Sequence, residues 1–160
     1  IDSDDVWRKN KLKKQINFME KNKFIFTYTH YETFGKKRKL VIPPKKFTFQ
    51  TFIQNTSIGT STMMVKTRDA RKIKFTDTEI CEDYYYKCKL LKKVKEAYCL
   101  SQSLTKYRIR TDSLQSSSFK NFCWIWKINE KYNKLNFLQN FMSLLLISIN
   151  SIRKYGLKNI

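Results

Sequence analysis

Two acidic pairs are the residues best placed to do chemistry. Asp2-Ser3-Asp4 sets two carboxylates one residue apart, and on a turn both can approach one divalent cation. Oxygen ligands of this kind favour Mg²⁺ or Mn²⁺, and such an ion neutralises a diphosphate and steadies it as a leaving group. The same stretch also suits a helix start, since Asp4 or Asp5 can accept orphan backbone N–H groups. Glu82-Asp83 opens a second predicted helix after a polar loop over roughly residues 67–80. A carboxylate there is a cap, or a general base if it lies within hydrogen-bond reach of a substrate hydroxyl.

Other chemistry-bearing residues are sparse. His30, the single histidine, lies in the aromatic run Phe24–Tyr31 and reads as structural. The four cysteines, Cys81, Cys88, Cys99 and Cys123, show no C-x-x-C spacing. They read as buried free thiols of a reducing compartment.

These residues need elements to carry them. Ile1 reads as the end of a strand, followed by the acidic loop. Val6 to about Lys21 reads as a helix with Leu12, Ile16 and Met19 on one face. Phe24–Tyr31 is β-branched and aromatic, so it predicts a strand. Gly35 marks a turn, and Leu40–Ile42 is a short return strand stopped by Pro43-Pro44. A short helix is expected over Phe47–Gln54 and a strand over Ser61–Val65. In the helix from Glu82 to about Val94, Tyr84, Cys88 and Leu91 recur at i, i+4 and i+7. Two short strands, Ala97–Leu100 and Leu104–Ile109, come next. Ser116–Ser118 can cap a helix from about Phe119 to Tyr132, and a last helix runs from about Phe137 to Arg153, with Gly156 able to end it. Strands mixed with helices indicate an α/β domain, whose ligands bind at the carboxyl ends of strands.

Composition bounds the function. The chain has 160 residues, 41% of them apolar, with 12 Phe and 9 Tyr, enough for one packed domain and unlike a disordered chain. A formal charge of +20 points to an anionic partner: nucleic acid, a membrane surface or a phosphate-bearing substrate. Most of the 33 basic residues are Lys, whereas Arg is the better reader of phosphates and bases, and an AT-rich coding bias also enriches Lys. No run of about 20 apolar residues predicts a transmembrane helix. The last helix carries Phe141, Leu144, Leu145 and Ile149, with Lys134, Arg153, Lys154 and Lys158 nearby. It either packs on the domain or lies in a membrane interface among anionic headgroups.

Each motif is weak alone, but their order is not. Asp2-Ser3-Asp4-Asp5-Val6-Trp7, then Lys11-Leu12-x-Lys14-Gln15, then Tyr28-Thr29-x-Tyr31, resembles the middle of the family 2 glycosyltransferases. Ile58–Thr62, Glu82-Asp83-Tyr84 with Leu90–Lys93, and Tyr107–Arg110 with Ser113 and Ser116 resemble the segments that follow there. Trp124, Trp126 and the closing helix are similar to the cell-wall and capsule branch. The resemblance spans nearly the whole chain. It implies a partial GT-A domain, a Rossmann-like mixed sheet lacking its N-terminal nucleotide-binding part. Residues 1–116 would be the later portion of the catalytic domain and residues 117–160 a helical segment that packs on it or associates with a membrane.

The resemblance also implies an inverting, metal-dependent single displacement. Asp2 and Asp4 would hold Mn²⁺ or Mg²⁺ and the donor diphosphate, and Asp83 would be the base. Glu82, Gly59, Thr60, Ser61, Arg108 and Arg110 would bind substrate. The implied partners are a nucleotide-sugar donor and a saccharide or lipid-linked acceptor, with peripheral membrane contact and no nucleic acid. The implied location is the cytoplasm, at the inner face of the cell membrane. The competing readings are a basic RNA-binding or ribosomal protein, which the charge favours, and a truncated, inactive glycosyltransferase.

Overall fold

The computed structural model describes residues 1–35, 38–75, 78–109 and 118–155. The chain runs through β1 (Val6–Trp7), α1 (Lys11–Asn22), β2 (Phe26–Gly35), β3 (Lys39–Val41), β4 (Lys46–Thr48) and α2 (Phe49–Phe52). A 3₁₀ turn (Thr60–Thr62), β5 (Met64–Val65), α3 (Thr67–Ala70), α4 (Glu82–Val94), β6 (Glu96–Ile109), α5 (Ser118–Lys131) and α6 (Phe137–Tyr155) follow.

The frame is a mixed six-stranded sheet built on two long parallel strands, β2 and β6. Short antiparallel strands extend the outer edge of each. β1 and β4 pair with the two ends of β6, and β3 and β5 with the two ends of β2. Parallel neighbours cannot be joined by a hairpin, so the β2-to-β6 crossover carries α2, α3 and α4. Because β2 is covered on both faces, Phe26, Thr27, Tyr28 and Thr29 are all buried, a run rather than an alternation.

Aromatic rings fill the core between sheet and helices. Phe47 meets Phe52 edge-on and Phe52 stacks with Tyr84, their centroids 5.9 and 5.7 Å apart. A fully buried ring of this size contributes about 1.5–3 kcal/mol by its area alone. The start of α2 is set by Thr48, whose hydroxyl accepts from the backbone N–H of Thr51.

Helices α5 and α6 dock on this core through a buried amide network. The Asn129 Oδ1 accepts from the Tyr84 hydroxyl at 2.7 Å and from Asn133 Nδ2 at 3.0 Å. Its Nδ2 donates to Asn140 Oδ1 and Ser143 Oγ, both at 3.1 Å, and the Ser143 hydroxyl donates to the Ile53 carbonyl. The network pairs both ends of the Asn129 amide in a low-dielectric interior, while the Asn133 Oδ1 at its edge is buried without a partner.

Several expectations are corrected. The predicted helix from Val6 begins only at Lys11, since Val6-Trp7 pairs with Lys106 and Thr105 as an edge strand. Neither Asp4 nor Asp5 caps it, because its N-cap is Asn10. Asp5 instead turns inward, and its Oδ1 accepts the backbone N–H of Arg108 at 2.9 Å. Of the face expected for α1 only Met19 is buried: Leu12 and Ile16 are 47% and 43% exposed, and Lys11 and Gln15 take the inner positions beside Met19.

The strand expected over Ser61–Val65 is a 3₁₀ turn plus two strand residues. The helix expected over Phe47–Gln54 is four residues long, led in by a strand. The loop over 67–80 holds the short helix α3. The two strands read over Ala97–Ile109 are one, and the break is a bulge where Ser101 and Gln102 have no partner between Leu100 and Ser103. On the last helix Leu144 is buried, so it does not share the outward face of Phe141, Leu145 and Ile149. Cys81, Cys88 and Cys99 are free and buried, but Cys123 is exposed. The expected boundary at 116–117, Ser113, Ser116, Arg110, Gly156 and Lys158 lie outside the described residues.

Candidate functional site

Helix α4 presents Asp83 in its first turn. The preceding Cys81 takes a left-handed conformation, φ 61°, which turns the chain sharply into the helix. The Asp83 Oδ1 accepts the backbone N–H of Tyr84 at 2.7 Å. Its Oδ2 accepts from Lys87 Nζ at 2.7 Å and from the Thr60 hydroxyl at 3.0 Å, and Lys87 also donates to Thr60 Oγ1 at 3.0 Å. The lysine lies one helical turn beyond the aspartate, the spacing at which helix side chains meet. Its side chain is 5% exposed and that of Asp83 29%, so the cation forms the back of the site and the carboxylate its surface. Burial pulls the Asp83 carboxyl upward. The Lys87 charge and the hydrogen bonds from Lys87, Thr60 and the Tyr84 N–H outweigh it and hold the group below the ordinary carboxylate range.

The 3₁₀ turn joins Asp83 to the acidic loop. Thr60 reaches Asp83, while the next residue, Ser61, reaches the other way, its hydroxyl accepting the backbone N–H of Asp2 at 3.0 Å. The Ser61 carbonyl accepts the Trp7 indole N–H at 2.7 Å. Gly59 begins this turn, where a Cβ would come within 3.3 Å of Thr62 and 3.6 Å of Tyr31. Behind the turn, Gln15 Nε2 donates to the Thr62 carbonyl and the Thr27 hydroxyl, both at 3.1 Å. Lys11 Nζ donates to Gln15 Oε1 at 2.8 Å. The Lys11–Gln15 motif is thus a buried buttress for the turn.

Asp2, Gly59, Thr60, Glu82 and Asp83 line one cavity of about 600 Å³. Ser61 is buried beneath it. Asp4 shares the loop with Asp2 but is not on the cavity wall. Arg108 caps that loop: its Nε donates to the Asp4 carbonyl at 3.3 Å, and its guanidinium lies over the Phe34 ring. Among the described residues, no three His, Cys, Asp or Glu side chains are gathered as a metal cluster. Two loop carboxylates are a fitting donor set for Mg²⁺ or Mn²⁺ all the same, since Mg²⁺ is commonly held by one or two carboxylates with phosphate oxygens and water completing its shell.

The cavity has walls that sequence reasoning did not assign. Lys87 is one of them, and its position one helical turn beyond Asp83 is the sequence signal that could have found it. Tyr31 and Tyr107, whose rings meet at 5.9 Å, line the cavity from β2 and β6. The opposite side comes from α5 and α6 through Phe122, Ile125, Ile147 and Lys154. Nothing in the local sequence announces that those two helices reach the site.

No family model matches the chain. Individual proteins do. It is 27% identical over 158 residues to the putative teichuronic acid biosynthesis glycosyltransferase TuaG of Bacillus subtilis, covering 96% of this chain and 63% of that one. It is 30% identical over 132 residues to WfgD of Escherichia coli, described as a UDP-Glc:alpha-D-GlcNAc-diphosphoundecaprenol beta-1,3-glucosyltransferase, covering 80% of this chain and 51% of WfgD. The chain therefore spans between half and two thirds of these relatives. Its fold matches that of Staphylococcus aureus TarS (residues 1–349, in complex with UDP-GlcNAc) with a TM-score of 0.61 at 16% identity, over 96% of this chain and 48% of that one. The mixed sheet and helices thus match the fold of about half of that TarS chain.

Proposed function

We propose that the chain, which is similar to glycosyltransferases along nearly its whole length, supplies the catalytic base and acceptor side of a family 2 glycosyltransferase. The enzyme transfers a sugar from a nucleotide-sugar donor to an acceptor hydroxyl in cell-surface polysaccharide synthesis, inverting the anomeric carbon. The observation that carries this reading is that Asp83, Glu82, Thr60 and Asp2 meet on the walls of one cavity.

In the reaction the acceptor oxygen attacks the anomeric carbon as the bond to the donor diphosphate breaks. The departing electron pair stays on the nucleoside diphosphate. The hydroxyl proton passes to an Asp83 carboxylate oxygen, which is ionised at neutral pH because its pKa is held low. Thr60, Lys87 and the Tyr84 N–H keep that carboxylate in one orientation, so little is lost in ordering it at the transition state. Asp2 and Asp4 would hold Mn²⁺ or Mg²⁺, which when bound neutralises the diphosphate as it leaves. Glu82 borders the acceptor, and Arg108 keeps the carboxylate loop in place. Arg110 would bind the phosphates or the acceptor in this reading.

The acceptor is a lipid-linked saccharide, in keeping with WfgD, and the enzyme works peripherally at the inner face of the cell membrane. The test is Asp83→Asn in the full-length protein, with nucleoside diphosphate release followed across a panel of UDP-sugars and a GlcNAc-diphospholipid acceptor. Asparagine keeps the size, and its Oδ1 can still accept the Tyr84 N–H. The expected result is a rate lower by about a hundredfold to ten-thousandfold, read at a temperature where circular dichroism shows the variant folded, since neutralising Asp83 leaves the buried Lys87 without its counter-ion. A variant working at the parent rate overturns the assignment.

A further inference from the structure

Helix α6 is apolar on the side that faces away from the protein. Its inner face buries Asn140, Ser143, Leu144 and Ile147, two of them polar. Outward, Phe137 is 75% exposed, Leu138 69%, Phe141 52% and Leu145 44%. A helix on the surface of a soluble domain ordinarily shows the reverse arrangement. On α5, Phe119, Phe122 and Trp126 recur at i, i+3 and i+7, and Phe119 is 79% exposed. The Trp126 ring meets Phe137 edge-on at 5.5 Å, so the two outward rows are continuous.

Two further observations say what covers this face. Apart from Lys154, which lines the cavity, the stretch 118–155 carries five basic residues, Lys120, Lys127, Lys131, Lys134 and Arg153, against one acid, Glu130. A partner that meets both the apolar row and this charge is itself anionic and apolar, as an anionic bilayer interface is. No described helix is long and apolar enough to cross a membrane, so α6 would lie in the interface rather than span it. In addition, α6 lines the cavity with Ile147 and Lys154 on its other side, and Phe122 belongs to both the outward row of α5 and the cavity wall.

We propose that the outward face of α5 and α6 seats on an anionic lipid surface, and that a lipid-linked acceptor passes Phe122 to reach Asp83. The first half stands on the helix faces alone. The second half rests on the glycosyltransferase reading. Two exposed side chains entering the interface, even in part, should change partitioning by about tenfold or more.

The test is sedimentation of the chain with vesicles of phosphatidylcholine alone or with phosphatidylglycerol added, using the parent and the double variant Phe141→Gln/Leu145→Gln. Both residues are half exposed, so the fold should survive, which circular dichroism and the melting temperature verify. The parent should pellet with the anionic vesicles, and the double variant at least tenfold less. Equal pelleting of the two proteins would mean that charge alone binds and would overturn the proposal. So would a parent that ignores both vesicles, or a parent dimer that the double variant dissolves while vesicle binding stays the same. No sugar transfer is measured, so the outcome is independent of the Asp83 assignment. For the acceptor route, Phe122→Gln should raise the KM for lipid-linked acceptor and not that for a water-soluble analogue; an equal change for both would overturn it.

Discussion

Lys87 and Lys11 are both buried lysines on helices flanking the same turn, and their neighbours differ in charge. Lys87 lies 2.7 Å from the Asp83 carboxylate. Lys11 has the neutral Gln15 amide oxygen at 2.8 Å and the face of Trp7 at 4.1 Å. Burial without a counter-ion pulls the Lys11 pKa down to about 8. The first lysine is a device for fixing a carboxylate in place. The second supports the turn through a hydrogen bond and is the more costly to keep charged.

The sharpest way to break this contrast is Lys87→Met. Removing one member of a largely buried pair leaves the other uncompensated, at a cost of about 2–4 kcal/mol in urea unfolding. Asp83 would lose the charge that holds its pKa down, so the acid limb of the activity profile should move to higher pH. The stabilising share of the pair is present above the unfolded carboxylate pKa and is lost as pH falls through the lower folded value. Parent and variant stabilities should therefore converge in strong acid. A role limited to packing would leave the acid limb where it is.

The opposite sign is expected at Lys11. Lys11→Met removes a cation that is costly to bury, and unfolding should show about 1–2 kcal/mol of added stability. The parent bears the full cost of charging below pH about 8. Between there and the unfolded lysine value near 10.4 its unfolded state binds more protons, so this group makes stability rise with pH. The variant should lack that rise. A variant less stable than the parent at pH 7 would show that the Gln15 hydrogen bond outweighs the desolvation.

The smallest effect is expected on the other face of α1. Leu12→Ser with Ile16→Ser should change stability by no more than about 0.5 kcal/mol each, whereas Met19→Ala should cost about 2–3 kcal/mol. A large loss from the serine pair would mean that this face is covered in solution.

These contrasts also mark what could be read from the chain. Helix α4 was legible from Glu82 to Val94 because Tyr84, Cys88 and Leu91 make an apolar stripe that the core covers. Helix α1 misled because the same rule assigns Leu12 and Ile16 to the inside. The tertiary structure instead offers Lys11 and Gln15 hydrogen bonds and a ring face there. The order of the acidic motifs pointed to the family and its fold. It did not show that Ser61 would be buried beneath the site, or that α5 and α6 would wall it. Those facts come from contacts between distant segments, and no local spacing encodes them. β4 is three residues long, too short to leave a period-two pattern.

The parallel pairing of β2 with β6 also bears on how the protein folds in time. Thr27 and Tyr98 are sheet partners but lie far apart in the chain, with α2, α3 and α4 between them. The crossover must close before the pair can gain any hydrogen bond, which places the entropic loss ahead of the reward. Folding should accordingly be slow for a chain of this length. Until β6 arrives, β2 has an unpaired edge of buried-type residues, Phe26 to Tyr31, open to other chains. Pairing of that open edge with a neighbouring chain, before β6 closes over it, is the misfolding route this topology exposes.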